Sequence, residues 1–179
     1  MVFDEFLIRS HIPTVENWPQ EGVSFRDITP LFQNPATARM ITDSLAWRYL
    51  NQDITHIAAL DARGFLLGSN LAYALNKPLV LIRKPGKLPG EVDRVSYDSE
   101  YAKGELELQK SAFSVGDKVV IVDDLIATGG TLLAASRLIR NQGAEINEVA
   151  AIVDLINLKG SERLTESSIP CFSLISFDD

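Results

Sequence analysis

Two hydrophobic periods alternate along the chain. Residues 3–10, Phe-Asp-Glu-Phe-Leu-Ile-Arg-Ser, carry apolar side chains at helical spacing. A stretch punctuated by proline and glycine runs from Ile12 to Pro30, and Asn34-Pro35 then reads as an N-cap followed by a first helical residue. The spacing predicts a helix to about Leu50, with Met40, Ile41, Leu45 and Trp47 on its buried side. Ile54 to Leu60 reads as a strand, Phe65 to Leu75 as a helix and Pro78 to Arg83 as a short strand. Residues 84–104 mix prolines, glycines and charges with little apolar periodicity, so they read as a long flexible loop, with Glu105 to Gln109 a strand returning from it. A strand at 118–122, a helix at 130–142 and a strand at 146–154 form a βαβ unit, and Pro170 to Ser176 is a last strand.

Strands alternating with helices imply an α/β fold with a mainly parallel twisted sheet flanked by helices. The first 30 residues fall outside that alternation and read as a small N-terminal hood or lid, with residues 31–179 as the core, effectively one domain.

The densest chemistry lies at residues 119–131, Val-Val-Ile-Val-Asp-Asp-Leu-Ile-Ala-Thr-Gly-Gly-Thr. A buried strand runs into tandem acids, a loop of small residues and a helix start. Asp123 and Asp124 can accept hydrogen bonds from a cis-diol. Ala127, Thr128, Gly129, Gly130 and Thr131 offer consecutive backbone N–H groups, with two threonine hydroxyls beside them. The glycines permit close approach to an anion, and a helix N-terminus adds partial positive charge. A ribose carrying a phosphate matches all three features. The competing reading is an ordinary turn with Asp124 or Thr128 as a helix N-cap. No Gly-Lys-Ser/Thr follows, so this is not a Walker loop.

The net charge is −7, which argues against nucleic-acid binding as the main activity. An acidic protein that takes a polyanion needs a local cluster of cations. Arg83, Lys84 and Lys87 supply one, with Pro85 and Gly86 between them, and Arg63 ends a strand in Asp61-Ala-Arg-Gly64. No apolar run is long enough to span a bilayer, and the N-terminus lacks the pattern of a signal peptide. Cys171 is the one cysteine, which fits a reducing compartment.

The stretch 119–131 resembles the phosphoribosyl pyrophosphate (PRPP) motif of type I phosphoribosyltransferases. Further segments resemble the branch of that family that acts on adenine. They are Gly22-Val-Ser-Phe-Arg-Asp-Ile-Thr-Pro30, Asp61-Ala-Arg-Gly-Phe65, Leu81-Ile-Arg-Lys-Pro-Gly-Lys-Leu-Pro-Gly90, Ser96-Tyr-Asp-Ser-Glu-Tyr101 and Leu155-Ile-Asn-Leu-Lys-Gly160. The resemblance implies transfer of phosphoribose from PRPP to adenine, giving AMP and pyrophosphate, by a Mg²⁺-dependent cytoplasmic homodimer of purine salvage. It implies that Asp123 and Asp124 hold the ribose, and that residues 127–131 hold its 5′-phosphate. Mg²⁺ would be held mainly by PRPP, with the two aspartates assisting through water. Arg63, Arg83, Lys84 and Lys87 would face pyrophosphate, in a 61–64 loop with a strained or cis peptide. It also makes Glu100 the catalytic acid at adenine N7, with Tyr101 closing over the site. Ser24, Phe25, Arg26 and Leu125 would form the base pocket, although Ser24 departs mildly from the valine usual there. Another purine phosphoribosyltransferase, acting on hypoxanthine, guanine or xanthine, and a non-catalytic PRPP-sensing regulator are the alternatives.

Overall fold

A computed structural model describes residues 3–98 and 103–178. The chain opens with α1 (Glu5–Ser10), capped by the Asp4 side chain at the Leu7 amide, and continues into a hairpin of β1 (Thr14–Glu16) and β2 (Ser24–Arg26). A short α2 (Thr29–Gln33) precedes α3 (Pro35–Tyr49), where Asn34 caps the helix by accepting from the Ala36 amide and Pro35 supplies a preset φ. The core follows as β3 (His56–Leu60), α4 (Gly64–Leu75) and β4 (Leu79–Ile82), then β5 (Val92–Asp98), β6 (Lys103–Gln109), β7 (Lys118–Val122) and β8 (Leu125–Ile126). It ends with α5 (Gly130–Asn141), β9 (Glu145–Leu155), a 3₁₀ turn at Ile156–Leu158, α6 (Gly160–Glu166) and β10 (Cys171–Phe177).

The central sheet has the order β10-β9-β7-β3-β4 with every neighbouring pair parallel, and β8 adds to β9. Alternate strand residues feed opposite faces. Ile57, Val120 and Val122 join Ile41, Leu45, Leu67 and Leu71 of α3 and α4. Ala58, Leu60, Val119 and Ile121 join Leu132, Leu138 and Ile139 of α5, with Leu106 and Leu108 of β6. Burial on both faces explains why β7 reads as an unbroken apolar run. Ile8, Ile12, Ile28 and Leu31 lie in the first of these clusters, so the N-terminal segment shares the core rather than resting on it.

Two expectations are corrected. Trp47 is 79% exposed. It lies two residues beyond Leu45, about 200° around the helix, and the buried face of α3 is completed by Thr37 and Tyr49 instead. Residues 84–104 are not a structureless loop, because β5 and β6 pair antiparallel from Val92↔Gln109 to Asp98↔Lys103. Charged residues on the solvent side of β5 disguised an alternation in which Asp93, Val95 and Tyr97 are half-buried and Arg94 and Ser96 are exposed.

Strand order reverses between β3 and β7: β3 leads outward to β4, whereas β7 leads the other way to β9 and β10. Ligands of open α/β sheets bind beyond the carboxyl ends of strands at such a switch point. Residues 61–63 leave β3, and residues 123–129, which include β8, leave β7.

Candidate active site

Both exit loops are tightly built. The Asp61–Ala62 peptide is cis, and Arg83 Nε donates to Asp61 Oδ2 at 2.9 Å, joining the ends of β3 and β4. Arg63 turns toward β7, and its Nε donates to Asp124 Oδ2 at 2.5 Å. Asp124 is 3% exposed, so this guanidinium offsets a carboxylate that burial would otherwise disfavour. Asp123 Oδ1 accepts from the Asp124 amide at 2.9 Å. Gly64 stands against it, since a Cβ there would lie 3.0 Å from Asp123 Oδ1. Burial, and then the neighbouring Asp124 charge, push the Asp123 carboxyl well above the usual carboxylate range.

Residues 127–132, with Arg63, Asp123, Asp124 and Leu125, line a cleft of about 130 Å³. Gly129 is the N-cap of α5 with φ +78°, a conformation that glycine alone adopts at no steric penalty. No side chain caps this helix. Neither Asp124 nor Thr128 acts as the cap, and the first-turn N–H groups of α5 are left for a ligand. Carboxylates at one end of the cleft and open helix amides at the other match a sugar phosphate: hydroxyls donate to the first, an anion accepts from the second.

Beside this cleft the hood forms a second one of about 300 Å³, lined by Val15, Trp18, Phe25, Asp27, Thr29 and Arg63. The Trp18 and Phe25 rings meet edge to face at 4.2 Å, and the Arg63 guanidinium carbon stands 5.1 Å from the Phe25 centroid. Arg63 thus borders both clefts. Walls of this kind suit a flat apolar ring with polar edges.

The remaining predicted residues distribute unevenly. Phe25 lines the hood cleft, and Leu125 lines the aspartate cleft. Ser24 Oγ donates to Glu16 Oε2 at 2.6 Å on the exposed hairpin, and Arg26 bonds to Thr14 Oγ1 and stacks on Phe177 at 4.2 Å. Lys84 and Lys87 are exposed, and neither they nor Arg83 line the two clefts. Glu100 and Tyr101 lie outside the described residues. Trp18, Asp27 and Thr29 were not anticipated; the pairing of Val15 with Phe25 across the hairpin, which brings Trp18 over Phe25, is a long-range arrangement that spacing does not reveal. Another concavity, about 700 Å³, lies between α3 and α4, walled by Phe3, Trp47, Leu50 and Leu75. Among its described lining residues Asp43 alone is charged, so it has no counterpart to the chemistry at the switch point.

Among the described residues, no group of three or more His, Cys, Asp or Glu side chains could cage a metal. Asp123 and Asp124 do fit a hard cation that keeps most of its ligands from water and substrate oxygens, which is how Mg²⁺ is commonly held.

A switch-point cleft with tandem carboxylates over open helix amides defines an enzyme that handles a phosphorylated sugar. The chain belongs to the phosphoribosyltransferase family: the model of the phosphoribosyl transferase domain matches residues 27–178. Its relatives are narrower still. An adenine phosphoribosyltransferase of Marinomonas sp. (strain MWYL1) is 55% identical over 178 residues, covering 99% of each chain. The crystal structure of adenine phosphoribosyltransferase from Thermoanaerobacter pseudethanolicus superposes with a TM-score of 0.92 at 37% identity, covering 96% of this chain and 99% of that one. That of Trypanosoma brucei, in complex with AMP, pyrophosphate and ribose-5-phosphate, superposes with a TM-score of 0.88 at 34% identity, covering 96% of this chain and 78% of that one.

Proposed function

We propose that the protein transfers the phosphoribosyl group of PRPP to N9 of adenine, giving AMP and pyrophosphate, as a pentosyltransferase of purine salvage. The observation that carries this reading is the continuity of the two clefts through Arg63: a sugar-phosphate site and an aromatic base site share one wall. The relatives named adenine phosphoribosyltransferase support it, and a neighbour bound to AMP, pyrophosphate and ribose-5-phosphate supports the pairing of those ligands on this fold.

On this reading the 5′-phosphate sits on the amides of residues 127–131, and the ribose hydroxyls donate to Asp123 and Asp124. A ribose hydroxyl competes for the carboxylate that holds Arg63, so loading frees the guanidinium toward pyrophosphate. Arg83, Lys84 and Lys87 approach the same leaving group from the β4 side, and the cis peptide loop beside Arg63 adds its amides. Adenine packs against Phe25 and Trp18, with Leu125 on its sugar side, and the Ser24–Arg26 backbone faces its amino group. A buried acceptor there favours an amino donor over the 6-oxo group of guanine or hypoxanthine.

Adenine N9 bonds to C1′ as the bond from C1′ to the pyrophosphate oxygen breaks, and the electron pair leaves with pyrophosphate. The paired aspartates place negative charge beside the ribosyl cation that develops, an electrostatic effect that is often the largest in catalysis. The N9 proton of adenine passes to water as N9 bonds to C1′, while Glu100 lends a proton to N7 as negative charge builds on the ring and takes it back once AMP has formed; general acid–base help of this kind contributes about 10²–10⁴-fold. Tyr101 closes over the site and keeps water from PRPP. Mg²⁺, held by PRPP with Asp123 and Asp124, would neutralise pyrophosphate charge as the leaving group departs. The enzyme works as a cytoplasmic homodimer on the same reading.

The test is an assay of AMP formation from PRPP and adenine with Mg²⁺, with hypoxanthine and guanine as competitors and a chelator control. Adenine should be converted, the 6-oxo purines should not, and chelation should stop turnover. Preferential conversion of a 6-oxo purine contradicts the base assignment. PRPP binding without pyrophosphate release points to a sensor.

A further inference from the structure

An anion site built from backbone needs its amides turned inward and its carbonyls turned out, and residues 127–129 have no large apolar side chain to anchor them. Their anchor lies on α6, a helix that belongs to neither cleft. Gly160, the first residue of α6, is buried and touches the loop directly: a Cβ there would lie 2.1 Å from the Ala127 carbonyl oxygen and 2.9 Å from the Gly129 nitrogen. The contact is reciprocal, since a Cβ on Gly129 would lie 3.0 Å from the Gly160 carbonyl oxygen. One turn along, an Arg163 terminal nitrogen donates to the Thr128 carbonyl at 2.6 Å. Two successive carbonyls of the loop therefore face α6. A trans peptide points its N–H opposite its C=O, so the amides of Thr128 and Gly129 are turned away from α6.

We propose that Gly160 and Arg163 are positioning residues for the phosphate loop, Gly160 setting its place by close backbone contact and Arg163 setting the orientation of the 128–129 peptide. The inference rests on the reading of that loop as the 5′-phosphate site. Gly160 has no positive φ, so alanine there suits the helix backbone and would by propensity favour it. Only the contact with the loop forbids a side chain, and relieving it moves the loop by most of an ångström. Displacements of that size in a binding geometry lower efficiency by about 10²-fold. Arg163 is exposed, so its hydrogen bond is worth less, about a three- to tenfold change in affinity.

The experiment measures KM for PRPP, KM for adenine, kcat and Tm in wild type, Gly160→Ala, Arg163→Ala and Arg163→Lys, with Asp123→Asn/Asp124→Asn as reference. Gly160→Ala should raise the PRPP KM by about 10²-fold and Arg163→Ala by about three- to tenfold, with adenine KM within about twofold and partial recovery in Arg163→Lys. If Gly160→Ala and Arg163→Ala both use PRPP like wild type while the aspartate variant does not, α6 has no positioning role. If adenine and PRPP constants rise together with a fallen Tm, the role is general folding support, and the inference is wrong. If the aspartate variant is itself unimpaired, the reading of the cleft fails rather than that of α6. Arg163→Ala removes no buried contact, so it decides the matter should Gly160→Ala fail to fold.

Discussion

Asp123 shows what the site demands of one residue. Its carboxyl is enclosed beside Gly64 and faces a second acid, and both effects favour the protonated form. An acid whose folded pKa is raised keeps its proton in the fold at pH values where the unfolded chain has released it. Above the unfolded value of about 3.9 the folded state binds more protons. Stability then falls as pH rises, until the folded carboxyl itself ionises, and the deficit remains beyond that point. Asp123→Asn keeps an oxygen for the Asp124 amide and removes this penalty. It should raise Tm at pH 7.5, and the gain should shrink as pH approaches 4. The same variant should lose PRPP turnover by orders of magnitude. Thermal melts across pH, paired with kinetics, check both halves; an equal or lower Tm at pH 7.5 contradicts the electrostatic account. On the proposed reading, the carboxyl is kept for ribose binding at a cost in stability.

At the scale of elements, the tie between α3 and β9 shows a buried network without a catalytic task. Glu148 takes both Nε and NH2 of Arg48, at 2.7 and 2.6 Å, and the Tyr49 hydroxyl at 2.5 Å, while Arg48 stacks 3.8 Å from the Phe172 centroid. Burial first, then the bond to Glu148, raise the Tyr49 pKa, so the phenol stays a donor. Removing the acid leaves two donors with a lost partner. Glu148→Ala should cost about 2–3 kcal/mol in denaturant unfolding, with adenine turnover at 25 °C unchanged, because Glu148 bonds to Arg48 and Tyr49 of α3 and pairs with Val120 in the middle of β7, short of the strand ends that carry the clefts. An unchanged midpoint would refute the structural role. Elements with one strong period were legible in sequence: β7, α5 and the N-cap of α3 at Asn34 all stand where the pattern placed them. Of the β5–β6 hairpin, β6 was read from Glu105 to Gln109, whereas β5 was not, because its alternation is half charged and its partner strand supplies the order. α6 was missed because seven residues with two buried positions carry too little periodicity to mark a helix.

At the scale of the molecule, an acidic chain of net charge −7 gathers its donors for an anion at one sheet edge. The switch point between β3 and β7 brings Arg63 to Asp124 across 61 residues of sequence. The strand, tandem acids, glycines and helix start of 119–131 were readable from local chemistry because they are contiguous, and they line one cleft. The cleft proposed for the base was only half legible: Phe25 was singled out in the sequence, whereas Trp18 joins it through hairpin pairing. The hood shares the core through Ile8, Ile12 and Ile28, so the two clefts belong to one cooperative unit. The central claim is that the tandem aspartates and the loop behind them grip a ribose phosphate. A crystal structure with AMP tests it most directly. The phosphate should lie within hydrogen-bond distance of the amides of residues 127–131, with the ribose hydroxyls on Asp123 and Asp124 and the adenine ring beside Phe25. AMP bound elsewhere, with that loop empty, would contradict the account.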